Sequence, residues 1–455
     1  MVSVARRLKS FFDGRYYPVF VALLVFLGHS TEWEVLFGSV MLLSLILGCW
    51  VCDDLRFAVS PFLFTIFIVP IAHSPNVPYY SKYYVEPLPL TVMIVLAVLL
   101  IISMVFFTVR NRKMINKREF FKKPIWISLL ILCGSLLLNG LFSKGYTVQN
   151  LLFACSFLLA LLLLYFLFGA YIRSDKGIVD YLMYCFVLAG MQITAQLIFA
   201  YFTTVDFVGV NPVKETVLLG WGVWTAIGGM LTLLMPACFY FAADHKHGWI
   251  GYFLGFLEFF AIFLSQSRGA LLTGAFVLLL CLIVLFFKGT YKKRNRIFTL
   301  AVMVCGILGG ILLFDKILAL LQNFLNYGFG DNGRFDLWRT GIENFLKNPV
   351  FGSGFYAFVN ESWPKAVYPY FYHNTLIQFL ATAGAVGFLA YAYHRFCTVC
   401  LVFRKPNRCK LFLGIGILGW LAFCFIDVLF FTTYPTMFYA LMLVTIEKSE
   451  KTESK

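Results

Sequence analysis

The fold of this chain is decided by stretches such as residues 88–109, LPLTVMIVLAVLLIISMVFFTV, which run directly into residues 110–123, RNRKMINKREFFKK. The first part carries no charged residue. It is long enough to cross a hydrocarbon layer of about 30 Å as a helix that satisfies its own backbone hydrogen bonds. The second part is strongly basic, which is typical of a cytoplasmic loop at the end of a membrane span.

Composition extends this interpretation to the whole chain. Of the 455 residues, 61% are hydrophobic and 13% are charged, whereas soluble domains are about half apolar and about a quarter charged. We therefore predict an all-α polytopic membrane protein in which residues 1–455 form a single integral membrane domain. The predicted spans are residues 17–29, 35–52, 57–72, 88–109, 125–142, 150–171, 178–202, 217–242, 249–264, 270–287, 297–314, 375–403, 411–429 and 434–446.

The distribution of charge predicts the topology. A basic or charged segment follows every even-numbered span, and the odd-numbered connections are poorer in Lys and Arg. Because cytoplasmic loops collect these residues, we expect a multi-pass protein of the cell membrane with both termini in the cytoplasm. The number of spans is then even, fourteen or twelve. Topology also explains the net charge of +15, so no nucleic-acid partner is expected; such a surface needs basic residues gathered on one face.

Twelve cysteines are scattered along the chain, mostly within apolar segments. Cys49 and Cys52 form one Cys-x-x-Cys pair, and Cys397 and Cys400, preceded by His394, form another. Neither pair lies in a compact finger-like unit, and Cys is a common buried apolar residue. We predict no disulfide framework, no metal site and no cofactor.

The longest connection is the loop of residues 315–372, which the topology places outside the membrane on the extracytoplasmic side. Loops of this length are usually functional or disordered, and the Phe, Tyr and Trp content of this one favours order. Residues 331–347 predict a helix with an Asp or Asn cap at its start and Asn348-Pro349 at its end. Function is expected to concentrate in this loop.

Two arginines stand out at the predicted outer surface. Arg268 lies between two apolar spans on the side where positive charge is disfavoured, which favours a cavity or partner over snorkelling to lipid headgroups. In the loop helix, Arg334 and Trp338 are four residues apart and share a face, whereas Arg339 points away from Arg334 by about 140°. The alternative for this helix is a solvated element held by its own aspartates.

His373 and Asn374 immediately precede the twelfth span. A lone His is more often an ordinary polar residue than a catalyst, but few of the six histidines are predicted to face outside. Imidazole titrates at about pH 6.5, which suits proton removal. Outward-facing arginines suit a diphosphate, because the guanidinium forks onto phosphate oxygens. If that diphosphate belongs to a lipid-linked sugar, the reaction is glycosyl transfer with lipid diphosphate as leaving group.

Three sequence blocks define a core of residues 250–395. They are SQSRGA at 265–270, GRFDLW at 333–338 continuing to NPVFGSG at 348–354, and His373-Asn374 followed after nine residues by GAVG at 384–387. In their order, these blocks resemble the O-antigen ligase and O-antigen polymerase superfamily of bacterial membrane glycosyltransferases. The third block matches the His-Asn, nine-residue, Gly-x-x-Gly pattern of the ligases in full.

The resemblance implies roles for individual residues. Arg268 and Arg334 would bind the undecaprenyl diphosphate of a lipid-linked glycan donor, and His373 would activate the acceptor hydroxyl. Further candidates for substrate contacts are Gln266, Trp338, Arg339 and Asn374. Arg339 ranks below Arg334. Such transfers need no metal, and in the ligases they invert the anomeric centre.

Several functions remain open from the sequence. The His-Asn spacing favours a ligase that moves glycan onto a lipid or protein acceptor at the outer face of the cytoplasmic membrane, in surface polysaccharide biosynthesis. A polymerase would instead use another lipid-linked repeat unit as acceptor. A flippase is less favoured, because the ionisable cluster lies at one surface and no internal repeat is evident, with Glu258 as the main exception. A catalytically inactive scaffold is the last alternative.

The topology can be tested with reporter fusions. Fusions after Lys123 and after Arg296 should report a cytoplasmic location, and fusions within residues 320–365 should report an external one, because the basic loops are retained inside. An external signal at either basic loop would overturn the topology and the site that depends on it.

Overall fold

The computed structural model describes residues 2–31, 33–69, 87–143, 146–175, 177–209, 211–312, 333–355, 357–359, 367–369 and 371–453. The chain is 80% helical, which confirms the all-α polytopic class. The helices are Val2–Phe12, Tyr16–Thr31, Glu34–Val51, Leu55–Ala58, Val59–Phe64, Thr65–Ile68, Pro87–Arg110, Arg112–Met114, Lys117–Phe120, Pro124–Leu137, Val148–Phe157, Leu158–Leu163, Leu164–Tyr171, Ile178–Thr203, Lys214–Thr216, Trp224–Leu234, Pro236–Asp244, Gly248–Leu264, Arg268–Phe287, Lys292–Leu312, Arg334–Lys347, Thr375–Phe403, Arg408–Phe423, Leu429–Phe431 and Thr433–Glu453.

Every predicted span overlaps a helix or consecutive helices. Among the described residues, 7 helices are long and apolar enough to cross a membrane, and a bent pair, Arg6–Phe12 with Tyr16–Thr31, raises this number to 8. Shorter apolar helices account for further predicted spans: Leu55–Ile68, Pro124–Leu137 and Gly248–Leu264. The protein is therefore a multi-pass membrane protein, while the number of twelve to fourteen spans stays a prediction.

Two predicted span boundaries are wrong. The eighth span begins at Trp224 and not at residue 217, because residues Leu218–Leu219 and Gly222–Val223 pair as a short antiparallel hairpin around a glycine-containing turn. The thirteenth span ends at Phe423 and not at residue 429. Two more antiparallel pairs complete the strands: Phe207–Val208 with Asn211–Pro212, and Ala357–Val359 with Val367–Pro369.

The charged connections predicted to be cytoplasmic meet on one face of the helix bundle. Their ion pairs are Lys9–Asp53, Arg56–Asp175, Lys123–Glu447, Arg404–Glu450 and Arg408–Asp244. These pairs range from exposed to largely buried, and they matter here as markers of which segments lie together. We call this side the charged face. It holds the residues near both termini.

The helix Thr375–Phe403 is broken at Gly384, where φ is +64° and ψ is −162°. In a continuous helix, the N–H groups of Ala385 and Val386 would donate to the carbonyls of Ala381 and Thr382. The break, about 14 Å from the helix start, separates these donors from these acceptors. In a membrane, unsatisfied backbone groups cost several kcal/mol each, so other partners must replace them.

Residues 349–354, which we call the inserted segment, supply those partners. The four hydrogen bonds are Ala385 N to Pro349 O (2.8 Å), Val386 N to Val350 O (3.1 Å), Ser353 N to Ala381 O (2.8 Å) and Gly354 N to Thr382 O (2.9 Å). A Cβ on Gly352 would lie 2.3 Å from the carbonyl carbon of Thr382, so only glycine permits this approach. The NPVFGSG and GAVG blocks are thus joined by backbone hydrogen bonds, and we call this contact the backbone junction.

The helix predicted at residues 331–347 is present as Arg334–Lys347. It begins after Gly333, whose φ of +74° is left-handed; the predicted Asp or Asn cap lies outside the described residues. All of the predicted loop before Gly333, residues 315–332, also lies outside the described residues. The helix leads directly into the inserted segment, so the backbone junction fixes its C-terminal end.

The junction predicts that Gly384→Ala destabilises the protein. An added Cβ would lie 2.4 Å from the Val350 carbonyl oxygen, and the backbone conformation is essentially restricted to glycine, at a cost of about 1–3 kcal/mol for other residues. Thermal unfolding of the detergent-purified chain should therefore occur at a lower temperature. Gly134→Ala is the matched control, because Gly134 has open space around its Cβ position in the helix Pro124–Leu137. Equal melting of both variants would contradict the junction.

Candidate active site

Asn374 fixes the start of the broken helix. Its side-chain oxygen accepts hydrogen bonds from the N–H groups of Leu376 (2.9 Å) and Ile377 (3.2 Å), as an N-cap does. Its amide nitrogen donates to the Phe425 carbonyl at 3.1 Å. The residue therefore ties the helix to the connection that follows Arg408–Phe423. The oxygen and the nitrogen of the side-chain amide both have partners within the protein, and a substrate contact from Asn374 stays a proposal.

His373 lies just outside this cap in a left-handed conformation, with φ of +50°. A non-glycine residue in this region carries strain, which persists where the surroundings hold it. The side chain is 42% exposed, and its Nδ1 lies 3.2 Å from Oδ1 of Asp427. One ring nitrogen thus has a fixed partner. The other, Nε2, belongs to a half-exposed ring that a substrate can approach.

Asp427 is a site residue that the sequence analysis missed. Its carboxylate is buried and accepts hydrogen bonds from the Val428 N–H (2.8 Å) and from the Thr225 hydroxyl. Burial raises the pKa of this carboxyl, but the hydrogen bond and charge of His373 and the other two donors outweigh burial, so the pKa lies below its ordinary value. Asp427 is therefore ionised near neutral pH. An acid inside the predicted span 411–429 was the available signal.

Arg268 is the first residue of the helix Arg268–Phe287. Ser267 caps that helix by accepting a hydrogen bond from the Ala270 N–H at 3.4 Å. The neighbouring Gly269 packs against Ile426, where an added Cβ would lie 3.3 Å from two side-chain carbons. The block SQSRGA therefore abuts the connection that carries Asp427. Gln266 precedes it with a left-handed φ of +57° and hydrogen-bonds to the Tyr201 side chain.

Lys214 is a further cation near the two predicted arginines, and the sequence analysis did not identify it as a candidate. It lies in a short helical turn between the hairpins of residues 207–223, half-buried, with Nζ 5.3 Å from the centre of the Trp224 ring. Burial lowers the pKa of Lys214, and the positive charges of Arg268 and Arg334 lower it further, while Glu215 opposes them. Both arginines therefore lie within electrostatic reach of one ammonium group.

The loop helix Arg334–Lys347 is docked beside His373. A Cβ on Gly341 would lie 2.4 Å from the Ile377 side chain, and Asn344 donates to the Tyr372 hydroxyl at 2.9 Å. Arg339 points to solvent, 80% exposed, and pairs with Glu343 at 3.2 Å. This agrees with the opposite orientation expected for Arg334 and Arg339. Trp338 is half-buried and packs edge-on against Phe335.

Two groups of side chains thus meet at the face opposite the charged face. One is the cation group, Lys214, Arg268 and Arg334; the other is the His373–Asp427 pair. Consecutive residues link them, because Trp224 lies under Lys214 and Thr225 hydrogen-bonds to Asp427. Within the described ranges, no three or more His, Cys, Asp or Glu side chains gather in a way that could hold a metal ion.

The fold and the site together define an integral membrane protein that carries cations and a His–Asp pair at one end of its helix bundle. Residues 251–392 match the family model described as O-antigen ligase. Over these residues, the match confirms the resemblance to the O-antigen ligase and polymerase superfamily that the three sequence blocks indicate, and that family implies ligase- or polymerase-type activity on a lipid-linked glycan and an acceptor. No curated protein matches the chain. Lys214, Thr225 and Asp427 lie outside the matched residues.

Asp427→Asn should lower the turnover number while leaving the donor KM nearly unchanged. The amide keeps the shape but removes the charge that orients the imidazole and stabilises it when protonated. The loss is bounded by the about 10²–10⁴-fold that a general base contributes. Glu343→Gln, in the exposed pair on the loop helix, is the control and should be neutral. A wild-type turnover number in Asp427→Asn would show that the carboxylate is not needed to position His373.

Proposed function

We propose that this protein transfers a glycan from undecaprenyl diphosphate to an acceptor hydroxyl at the outer face of the cytoplasmic membrane, as a ligase of surface polysaccharide biosynthesis. One observation carries this proposal: the cation group and the His373–Asp427 pair lie side by side, bridged by Trp224 and Thr225. Both termini are then cytoplasmic, and the charged face is the inner one.

The chemistry follows from these positions. His373 takes the proton of the acceptor hydroxyl, whose oxygen attacks the anomeric carbon of the donor sugar. The bond between that carbon and the phosphate oxygen breaks, and undecaprenyl diphosphate leaves with the bonding electrons. Arg268 and Arg334 stabilise the negative charge that develops on the leaving group. Asp427 holds the imidazole and stabilises its protonated form. Attack from the side opposite the diphosphate inverts the anomeric centre, and no metal is required.

A repeat-unit polymerase is the second candidate, since it differs only in using a lipid-linked glycan as acceptor. The His-Asn spacing favours the ligase. The flippase alternative loses support from Glu258, which lies buried among packed helices. Its Oε1 accepts a hydrogen bond from the Cys238 thiol at 3.2 Å, and it contacts Gly190 closely. This carboxyl belongs to a packed interior, apart from the cations that face the substrate side.

Substitutions should separate the base from the donor-binding residues. His373→Ala should lower turnover by about 10² to 10⁴-fold with donor binding largely intact, since a general base acts mainly in the transition state. Arg334→Ala should weaken donor binding as well as rate, and Arg334→Lys should also be impaired, because a point charge cannot reproduce a forked contact with phosphate.

The assay is glycan transfer from purified undecaprenyl-diphosphate donor in proteoliposomes, measured with and without EDTA. Arg339→Ala is the matched control, because Arg339 lies on the same helix but pairs with Glu343 at the solvent side. Full activity of His373→Ala would remove the proposed base. Activity abolished by EDTA would show that a metal does the work assigned here to the arginines. Equal losses in Arg334→Ala and Arg339→Ala would remove the special role of Arg334.

A further inference from the structure

A cavity on the charged face lies apart from the candidate active site. It has a volume of about 430 Å³, which falls within the about 300–1,000 Å³ of small-molecule sites. It is lined by the connection after the helix Pro87–Arg110, by the start of Pro124–Leu137 and by the end of Leu164–Tyr171. Since apolar helices begin and end around this cavity, it lies at the level of the lipid headgroups.

Two cations at this cavity come from different elements. Lys448, on the helix Thr433–Glu453, is 8% exposed, and its Nζ donates to the carbonyls of Gly169 (3.2 Å) and Ile172. These carbonyls are uncharged, so the two hydrogen bonds orient the ammonium group without supplying negative charge. Arg173 follows Ile172 directly and is exposed at the rim. Both positive charges therefore border the same space.

The carboxylates of the lining only partly balance these cations. Glu447 pairs with Lys123 at 2.5 Å and accepts a hydrogen bond from the Tyr165 hydroxyl, so its charge is already matched within the protein. Glu119 is exposed at the rim, where water and salt screen it. Beyond the Lys123–Glu447 pair, the described lining thus holds two cations against one exposed carboxylate, and this balance favours an anionic ligand.

The apolar part of the lining indicates what kind of anion fits. Met114, Ile115 and Phe120 lie beside the cations, and the neighbouring Phe121 is 44% exposed. The connection itself, residues 110–123, carries seven Lys and Arg against one Glu. Basic segments directly after a span attract anionic lipid headgroups, by about 1 kcal/mol for each Lys or Arg near the surface. A free inorganic anion gains nothing from the apolar side chains, whereas a phospholipid places its glycerol backbone against them.

We propose that this cavity binds an anionic phospholipid of the leaflet that meets the charged face. Its phosphate lies between Arg173 and Lys448, and its glycerol backbone lies along Met114, Ile115 and Phe120. The bound lipid joins the C-terminal helix to the basic connection. This site does not depend on the proposed reaction.

Lipid binding to the purified, delipidated full chain in detergent tests this inference, with phosphatidylglycerol as the probe and native mass spectrometry as the measurement. Ser174→Trp places a bulky ring in the cavity without a change of charge, because half-buried Ser174 lines it, and it should raise the Kd about 10-fold or more. Arg173→Gln should raise the Kd about 10-fold, as expected for loss of one charged hydrogen bond. Lys246→Gln is the matched control and should bind as wild type, because exposed Lys246 lies on another connection of the charged face.

Two further ligands make the result specific. Phosphatidylcholine carries the same phosphate with a fixed positive charge beside it, so it should bind more weakly, and millimolar inorganic phosphate should not displace phosphatidylglycerol. Equal binding of phosphatidylglycerol by wild type, Arg173→Gln and Ser174→Trp would overturn the inference, as would an equal affinity for phosphatidylcholine. Displacement by inorganic phosphate would also overturn it, since the cavity would then be a site for a free anion. If Ser174→Trp melts at a lower temperature than wild type, Ser174→Leu replaces it with the same expected outcomes.

Discussion

The satisfaction of four backbone groups at Gly384 is the constraint on which the site depends. A helix inside a membrane normally bonds only to itself, since lipid offers no partners for N–H and C=O groups. Here the break is tolerated because the inserted segment gives each of the two separated N–H groups and each of the two separated carbonyls a new partner at ordinary hydrogen-bond length. The cost of breaking the helix is thereby largely offset, and the segment that follows the loop helix becomes part of the helix bundle.

That junction sets the geometry of both halves of the site. The inserted segment continues the loop helix, so Arg334 is held relative to the broken helix. The start of the same broken helix carries His373 and is anchored by Asn374 to the Phe425 carbonyl, and the connection there supplies Asp427. The elements that present the cation and the base therefore share one rigid support, which is what preorganised electrostatic stabilisation requires.

The sequence predicted the helical class and the spans because hydropathy and charge are local properties. It also identified Arg268, Arg334 and His373, which lie in recognisable blocks. It could not predict the break at Gly384, because the partners of the broken hydrogen bonds lie about thirty residues earlier in the chain. Lys214 and Asp427 were missed for a similar reason. Each is an isolated charge in its own segment, and it can be recognised as a candidate site residue only when the fold places it near Arg268 or His373.

The two faces use the same residue types in opposite ways. On the charged face, each arginine in an ion pair meets a carboxylate: Arg56 meets Asp175, Arg404 meets Glu450 and Arg408 meets Asp244. Those pairs neutralise charge within the protein. At the opposite face, the charges of Arg268 and Arg334 act on the half-buried Lys214, and among the described residues the carboxylate that acts on it, Glu215, is exposed. Charge on the charged face is thus paired between segments of the chain, whereas at the opposite face like charges act on one another. This difference in pairing, more than the number of basic residues, distinguishes the two faces, and it supports the proposal that the face opposite the charged face receives the substrate.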